Sequence, residues 1–226
     1  MKKTNTLFNK INLETLSETT DNLSDFQISV LIGLILGDAS LSRASITSNT
    51  RLEFSFGEKY KLFAEKIENI FKLFISTPLK SVEIKGKSNT YLNYRLKTRS
   101  FFIFNKYYEL FYKEIFLNKE KSKFIKIVPS NISEYMNPIV LAYLIMSDGN
   151  FDKSRNRVRI YTNSFTKQEV DILAESIKDN LGIYVGVLHD RKDQWILTIG
   201  AKQLEHLRKL VFPYFEKSML YRIGLD

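Results

Sequence analysis

Two aspartates, Asp38 and Asp148, are the residues best placed to do chemistry. Each ends an apolar run: LIGLILGDA at 31–39 and LAYLIMSDG at 141–149. A carboxylate at a helix C-terminus meets about half a negative charge from the helix dipole, an unfavourable pairing in isolation. If the two helices pack side by side, both acids and both C-termini converge. A divalent cation then offsets the repulsion, helped by the free carbonyls of the last helical turn. Oxygen-only ligands favour Mg²⁺ over zinc. Cys is absent, which excludes disulfides, thiol nucleophiles, iron–sulfur clusters and Cys-based zinc sites. The only two histidines, His189 and His206, are too far apart to form a His-rich metal motif.

Positioning the acids requires two equivalent helices, and the chain supplies them by repetition. Asp38 and Asp148 are 110 positions apart (148 − 38), and FAEKI at 63–67 matches LAESI at 173–177 at the same offset. The chain therefore reads as an N-terminal extension (1–23), a first half (24–117), a linker (118–136) and a second half (137–226). Ser24 with Gln27 forms a capping box before the first motif helix, and Asn137-Pro138 gives an N-cap and N1 proline to the second. Ser29, Gly33 and Gly37, spaced by four, make a small-residue stripe that lets another backbone approach. Glycine inside a helix costs about 1 kcal/mol against alanine, so two on one face point to packing.

Each half then reads helix, two strands, helix, two strands, helix. In the first half strands are expected at 51–56, 82–85 and 91–99, with helices at 59–74 and 101–116. In the second, strands are expected at 157–163, 183–188 and 195–199, with a hairpin tip at 189–194 and helices at 167–181 and 201–215. Period-two alternation marks the half-buried strands: Leu52, Phe54 and Phe56 oppose Arg51, Glu53 and Ser55.

With 34 Lys+Arg against 25 Asp+Glu, the net charge is +9. The basic excess lies on the strands, which favours a nucleic acid over a membrane surface, since the latter calls for a basic amphipathic helix. Candidate contacts on the first half are Arg43, Arg51, Glu53, Lys85, Lys87, Asn93, Arg95, Lys97 and Arg99. On the second they are Lys153, Arg155, Arg157, Arg159, Tyr161, Arg191, Lys192 and Gln194. Arg, Asn and Gln suit base edges in a major groove, while rim cations grip phosphates. No segment reaches the ~18 apolar residues of a membrane span. The N-terminus has no apolar signal core and carries Glu14, Glu18, Asp21 and Asp25. The expectation is a protein that stays where it is made. The Lys-, Asn-, Ile- and Phe-rich, Gly-poor composition hints at an A+T-rich organelle genome, hence the mitochondrion.

The two motif segments resemble the LAGLIDADG motif, and the chain resembles a single-chain, two-motif LAGLIDADG homing endonuclease. The first keeps Leu31, Gly33, Leu34, Ile35 and Asp38; the second keeps Leu141, Ala142, Leu144, Ile145, Asp148 and Gly149. The resemblance implies an α+β fold of two pseudo-symmetric αββαββα halves, whose antiparallel saddle-shaped sheets straddle double-stranded DNA. It implies monomeric, Mg²⁺-dependent cleavage across the minor groove of a long asymmetric site, leaving short 3′ overhangs; Mn²⁺ can substitute. Asp38 and Asp148 become metal ligands, one per DNA strand, with the carbonyls of Gly37 and Ser147 as additional ligands. It also implies a basic residue near each metal. Lys126 in KIVP fills one place, and Arg222 in MLYR stands where lysine is expected. Arginine barely deprotonates, so Arg222 suits charge stabilisation rather than proton transfer. Ser55 and Asn163, at strand ends, are candidates to order the attacking water. An intron RNA maturase, or a nuclease-dead DNA-binding protein, is the alternative on the same scaffold.

Overall fold

The computed structural model describes residues 16–85, 90–118 and 122–225. Its centre is a pair of helices, α1 (Asp25–Leu36) and α4 (Pro138–Asp148). Both are apolar around their whole circumference and buried on nearly every face, as such sequences must be in water. The predicted caps form. Ser24 Oγ accepts from the Gln27 amide at 3.1 Å, and Gln27 Oε1 accepts from the Ser24 amide at 3.0 Å. Asn137 Oδ1 accepts from the amides of Ile139 and Val140. The small-residue stripe is the seam between these helices. Asn137 Nδ2 donates to Ser29 Oγ at 2.9 Å at one end. A Cβ added to Gly33 would sit 2.6 Å from the Val140 carbonyl oxygen, and one on Gly37 would sit 2.4 Å from Ser147 Cβ.

Each motif helix feeds a four-stranded antiparallel sheet. The first contains β1 (Ser40–Ser42), β2 (Arg51–Gly57), β3 (Lys80–Lys85) and β4 (Thr90–Lys97), in the order β1-β2-β4-β3. The second contains β7 (Gly149–Asp152), β8 (Arg157–Tyr161), β9 (Gly186–Arg191) and β10 (Gln194–Ile199), in the order β7-β8-β10-β9. The matching orders are the structural form of the sequence repeat. Inward residues of β2 and β8 (Leu52, Phe54, Phe56; Val158, Ile160) join the core under α2 (Lys61–Ile70) and α5 (Lys167–Leu181), and the alternate residues face outward. No helix among the described residues is long and apolar enough to cross a membrane.

Five expectations change. Residues 101–116 are not one helix: a 3₁₀ turn leads into α3 (Asn105–Phe111), and the chain then turns into β5 (Tyr112–Phe116). Within the expected linker, β6 (Ser122–Lys126) pairs with β5 as a hairpin, and Tyr112 Oη accepts from the Leu41 amide at 2.9 Å. Both faces of this hairpin are largely exposed, so it leaves no buried-polar alternation to read. The expected 189–194 tip shrinks to Lys192–Asp193 between β9 and β10, with Lys192 at φ 49°. The terminal helix is α6 (Leu204–Val211) between 3₁₀ turns, followed by a 3₁₀ segment at Lys217–Ile223 that carries Arg222. Residues 59–74 likewise form α2 with a 3₁₀ turn at each end.

Candidate active site and nucleic-acid interface

The seam delivers both carboxylates to one place. Asp38 and Asp148 line the same pocket, with Lys59, Tyr60, Asn150, Tyr161, Tyr221 and Arg222 around them. A Cβ on Gly37 would lie 3.2 Å from Asp148 Oδ2, so the first helix's terminus abuts the second helix's acid. Asp38 opens onto the cleft and Asp148 is half-buried. Dense protein at the foot of the seam withdraws water from both and raises both above the ordinary carboxylate range. Asp148 is pushed up to about 7, by desolvation first and the Asp38 charge second, while Lys126 and Arg222 pull it down.

Lys126 and Arg222 occupy matching positions about the pseudo-twofold. Lys126 Nζ donates to the carbonyls of Gly37 and Ala39, each at 2.8 Å, on either side of Asp38. Arg222 Nη1 donates to the carbonyls of Ser147 at 2.8 Å and Gly149 at 2.5 Å, on either side of Asp148. Each cation thus ties down the backbone flanking one acid. Burial lowers the Lys126 ammonium below its ordinary range, opposed by the charges of Asp148 and Asp38. Arg222 is 7% exposed, and its guanidinium lies 5.0 Å from the Tyr60 ring centroid.

Among the described residues no three His, Cys, Asp or Glu side chains cluster as a metal cage. Two carboxylates and backbone carbonyls are a partial oxygen shell. That donor set fits Mg²⁺, which keeps several waters and completes its octahedron with substrate phosphate. The Gly37 and Ser147 carbonyls each accept one bond from a cation and retain a second lone pair.

The outward sheet faces hold most of the predicted contacts. Arg95 and Lys97 are exposed beside Asp38, Ser40, Glu53, Ser55 and Lys80 in one cleft. Lys85 and Arg99 are exposed near the ends of β3 and β4. Arg51 pairs with Glu53, and Asn93 Nδ2 donates to Ser55 Oγ at 3.3 Å. On the second sheet, Arg157 Nε lies 3.1 Å from Asp152 Oδ2, and Arg159 pairs closely with the same oxygen. The Ser154 hydroxyl and then these arginines hold Asp152 below the ordinary carboxylate range. Lys153 and Arg155 lie exposed in the turn between β7 and β8. Gln194 Oε1 accepts from Arg191 Nε at 3.1 Å and from Asn163 Nδ2 at 3.3 Å. Lys192 sits at the hairpin turn.

Two expected residues are placed differently. Arg43 is withdrawn from the surface: its side chain is 13% exposed, donates to Thr50 and the Asn105 carbonyl, pairs with Glu109 and stacks on Tyr108. Its guanidinium is committed to anchoring the loop before β2. Asn163 is tied to Gln194 on β10, whereas Ser55 shares the Asp38 cleft. Lys87 lies outside the described residues. The residues that sequence reasoning missed are Lys59, Tyr60, Asn150, Tyr221 and Asp152. Asp152 carried a signal, an acid immediately before a basic run. Asn150 carried one too, lying two residues beyond Asp148; the tertiary fold alone brings Lys59, Tyr60 and Tyr221 to the acids.

Two sheets of matching strand order flank an acid-bearing seam, the layout of a two-motif pseudo-symmetric scaffold. Residues 28–207 match the LAGLIDADG DNA endonuclease family, and the chain belongs to that family. It is 32% identical over 133 residues to the intron-encoded endonuclease ai4 of Dictyostelium discoideum, covering 58% of this chain and 77% of that one. It is 25% identical over 207 residues to the cytochrome b mRNA maturase bI2 of Saccharomyces cerevisiae, covering 87% of this chain but only 47% of that protein, so it spans about half the maturase's length. Among solved structures it is similar to the homing endonuclease I-WcaI bound to its DNA recognition sequence, with a TM-score of 0.78, 25% identity, and coverage of 90% of this chain and 88% of that one.

Proposed function

We propose that this protein is a homing endonuclease, a monomeric, site-specific double-strand endodeoxyribonuclease that uses Mg²⁺ across the minor groove of a long asymmetric site. The observation that carries this reading is the convergence of Asp38 and Asp148, one from each motif helix, in one pocket between two outward-facing basic sheets. A divalent cation, when bound, would supply Lewis-acid activation of water and charge neutralisation at the phosphate, and Mn²⁺ would suit the same donors. Asp38 and Asp148 would hold it, with the Gly37 and Ser147 carbonyls. Lys126 and Arg222 fix those carbonyls and place positive charge beside the scissile phosphates. Ser55, which lines the same cleft as Asp38, would orient water on that side. The two sheets bind successive major-groove segments, so the duplex crosses the acids at its minor groove. Organellar, mitochondrial encoding is supported by the A+T-rich residue bias and by the cytochrome b maturase relative. The same relative favours a second reading, an intron RNA maturase on this scaffold.

The test is incubation with plasmids carrying candidate intron-insertion sites, in Mg²⁺ or in EDTA. Linear product in Mg²⁺ alone is expected, and Asp38→Asn or Asp148→Asn should abolish double-strand cleavage while binding persists. No linear product from any cognate site would overturn the nuclease reading. Loss of binding in the Asn variants would reassign the acids to folding.

A further inference from the structure

The two sheets are built alike, but their outward faces differ at one row next to the acids. On the second sheet, Ile196 of β10 registers with Tyr161 of β8 on one side and Leu188 of β9 on the other. Their chain neighbours Ile160, Leu197 and Val187 pack into the core or against it, so these three project from the opposite face. Tyr161 is 37% exposed and Leu188 40%, with Ile196, at 4%, on the strand between them. This is a largely apolar bar, with its one hydroxyl, on Tyr161, bonded to Arg159, across a face otherwise formed by Arg157, Arg159, Thr198 and Gln194. The matching row of the first sheet is Ser55–Arg95–Lys80, all three exposed. The equivalence is fixed by register: Ser40 and Asn150, each two residues beyond its motif acid, face Glu53 and Arg159, and Ser55 and Tyr161 follow two residues later.

The geometry points to a division of labour in which the Tyr161–Ile196–Leu188 bar recognises thymine 5-methyl groups in one half-site. This inference rests on the DNA-binding reading above. Within a major groove the thymine methyl is the apolar feature; the remaining base-edge groups there are hydrogen-bond donors and acceptors that an apolar bar leaves unpaired. Arg157 and Arg159, oriented on the same face by Asp152, flank the bar and read the base edges beside it. Because Tyr161 also lines the acid pocket, the methyls it meets belong to base pairs just outside the cleaved centre. The Ser55–Arg95–Lys80 row, by contrast, reads hydrogen-bonding edges in the other half-site.

The test starts from full-length protein in EDTA and a randomised duplex library. The enriched duplex is then remade with single thymines replaced by deoxyuridine, which deletes only the methyl group. Removal of one well-packed methyl should weaken binding about three- to fivefold at one or two positions in a single half-site. Leu188→Ser, at an exposed position, should weaken binding to the thymine duplex and abolish the uridine effect. Arg95→Ala should weaken binding but leave the uridine effect unchanged. No uridine-sensitive position beside the centre, or a uridine effect that survives in Leu188→Ser, overturns the proposal. Failure to enrich any duplex would refute the DNA-binding reading itself, a result distinct from either.

Discussion

At the scale of single residues, the acids of the seam carry a cost that the metal-free protein must bear. Asp148 titrates near 7 in the folded chain and near 3.8 when unfolded, because burial and Asp38 oppose its charge. A carboxyl raised in this way contributes stability that is complete below about pH 4 and is lost as pH rises through about 7. Asp152 has the opposite sign: held low, its contribution is lost only on acidification below pH 4 and does not overlap this window. In EDTA the wild type should therefore lose stability between about pH 4 and pH 7, and Asp148→Asn should lose less, since only the Asp38 carboxyl, also raised by burial, remains to titrate there. The variant's Tm should exceed the wild type's by about 2–4 °C at pH 8, allowing for solvent screening of a half-exposed group. Parallel Tm–pH curves for the two proteins would contradict the strained pair. The pair itself was legible in the sequence, because two acids ending two apolar runs at one offset is a local pattern. The Lys59, Tyr60 and Tyr221 side chains around it were not, since no local spacing marks residues brought together by folding.

Elements show the same boundary between what is local and what is not. Both capping sequences, both all-apolar helices and the alternating strands β2, β4 and β8 follow from short-range rules. The β5–β6 hairpin does not: with both faces in solvent, its hydrophobic pattern matches neither period, and its aromatic residues continue the helical spacing of α3. The small-residue stripe supports a sharper prediction. Alanine at Gly33 gains about 1 kcal/mol of helix propensity. Its Cβ would meet the Val140 carbonyl oxygen at 2.6 Å and Tyr143 Cβ at 2.8 Å, and backbone cannot step aside without parting the helices. Overpacking of that kind costs about 1–3 kcal/mol, and two such contacts place it at the upper end. Gly33→Ala should lower Tm by about 4–8 °C and cleavage with it, as the acids are carried apart. Gly57→Ala, where an added Cβ meets nothing within 4 Å, is the control and should leave Tm nearly unchanged. Equal Tm values for the two variants would refute close helix approach at the seam.

For the whole molecule, net charge is a poor guide to which cations meet DNA. The first sheet's Lys80, Lys85, Arg95 and Lys97 are exposed and make no ion pair among the described residues. The second sheet's Arg157 and Arg159 already share Asp152, and Arg51 already faces Glu53. A side chain held by an acid releases little counterion on meeting a phosphate, because its charge is balanced before binding. The slope of log K against log salt should fall in magnitude by about 0.9 for each unpaired cation removed from a phosphate contact. Lys97→Ala and Lys85→Ala should each flatten the slope by roughly that amount and weaken binding evenly across sequences. Arg157→Ala should change it far less while relaxing base preference in its own half-site, since its guanidinium is fixed by Asp152 and oriented rather than free. Asp152→Asn should then steepen the slope by unmasking two arginines. If Arg157→Ala and Lys97→Ala flatten the slope equally, the paired arginines behave as simple phosphate grips, and the asymmetry between the sheets carries no electrostatic consequence.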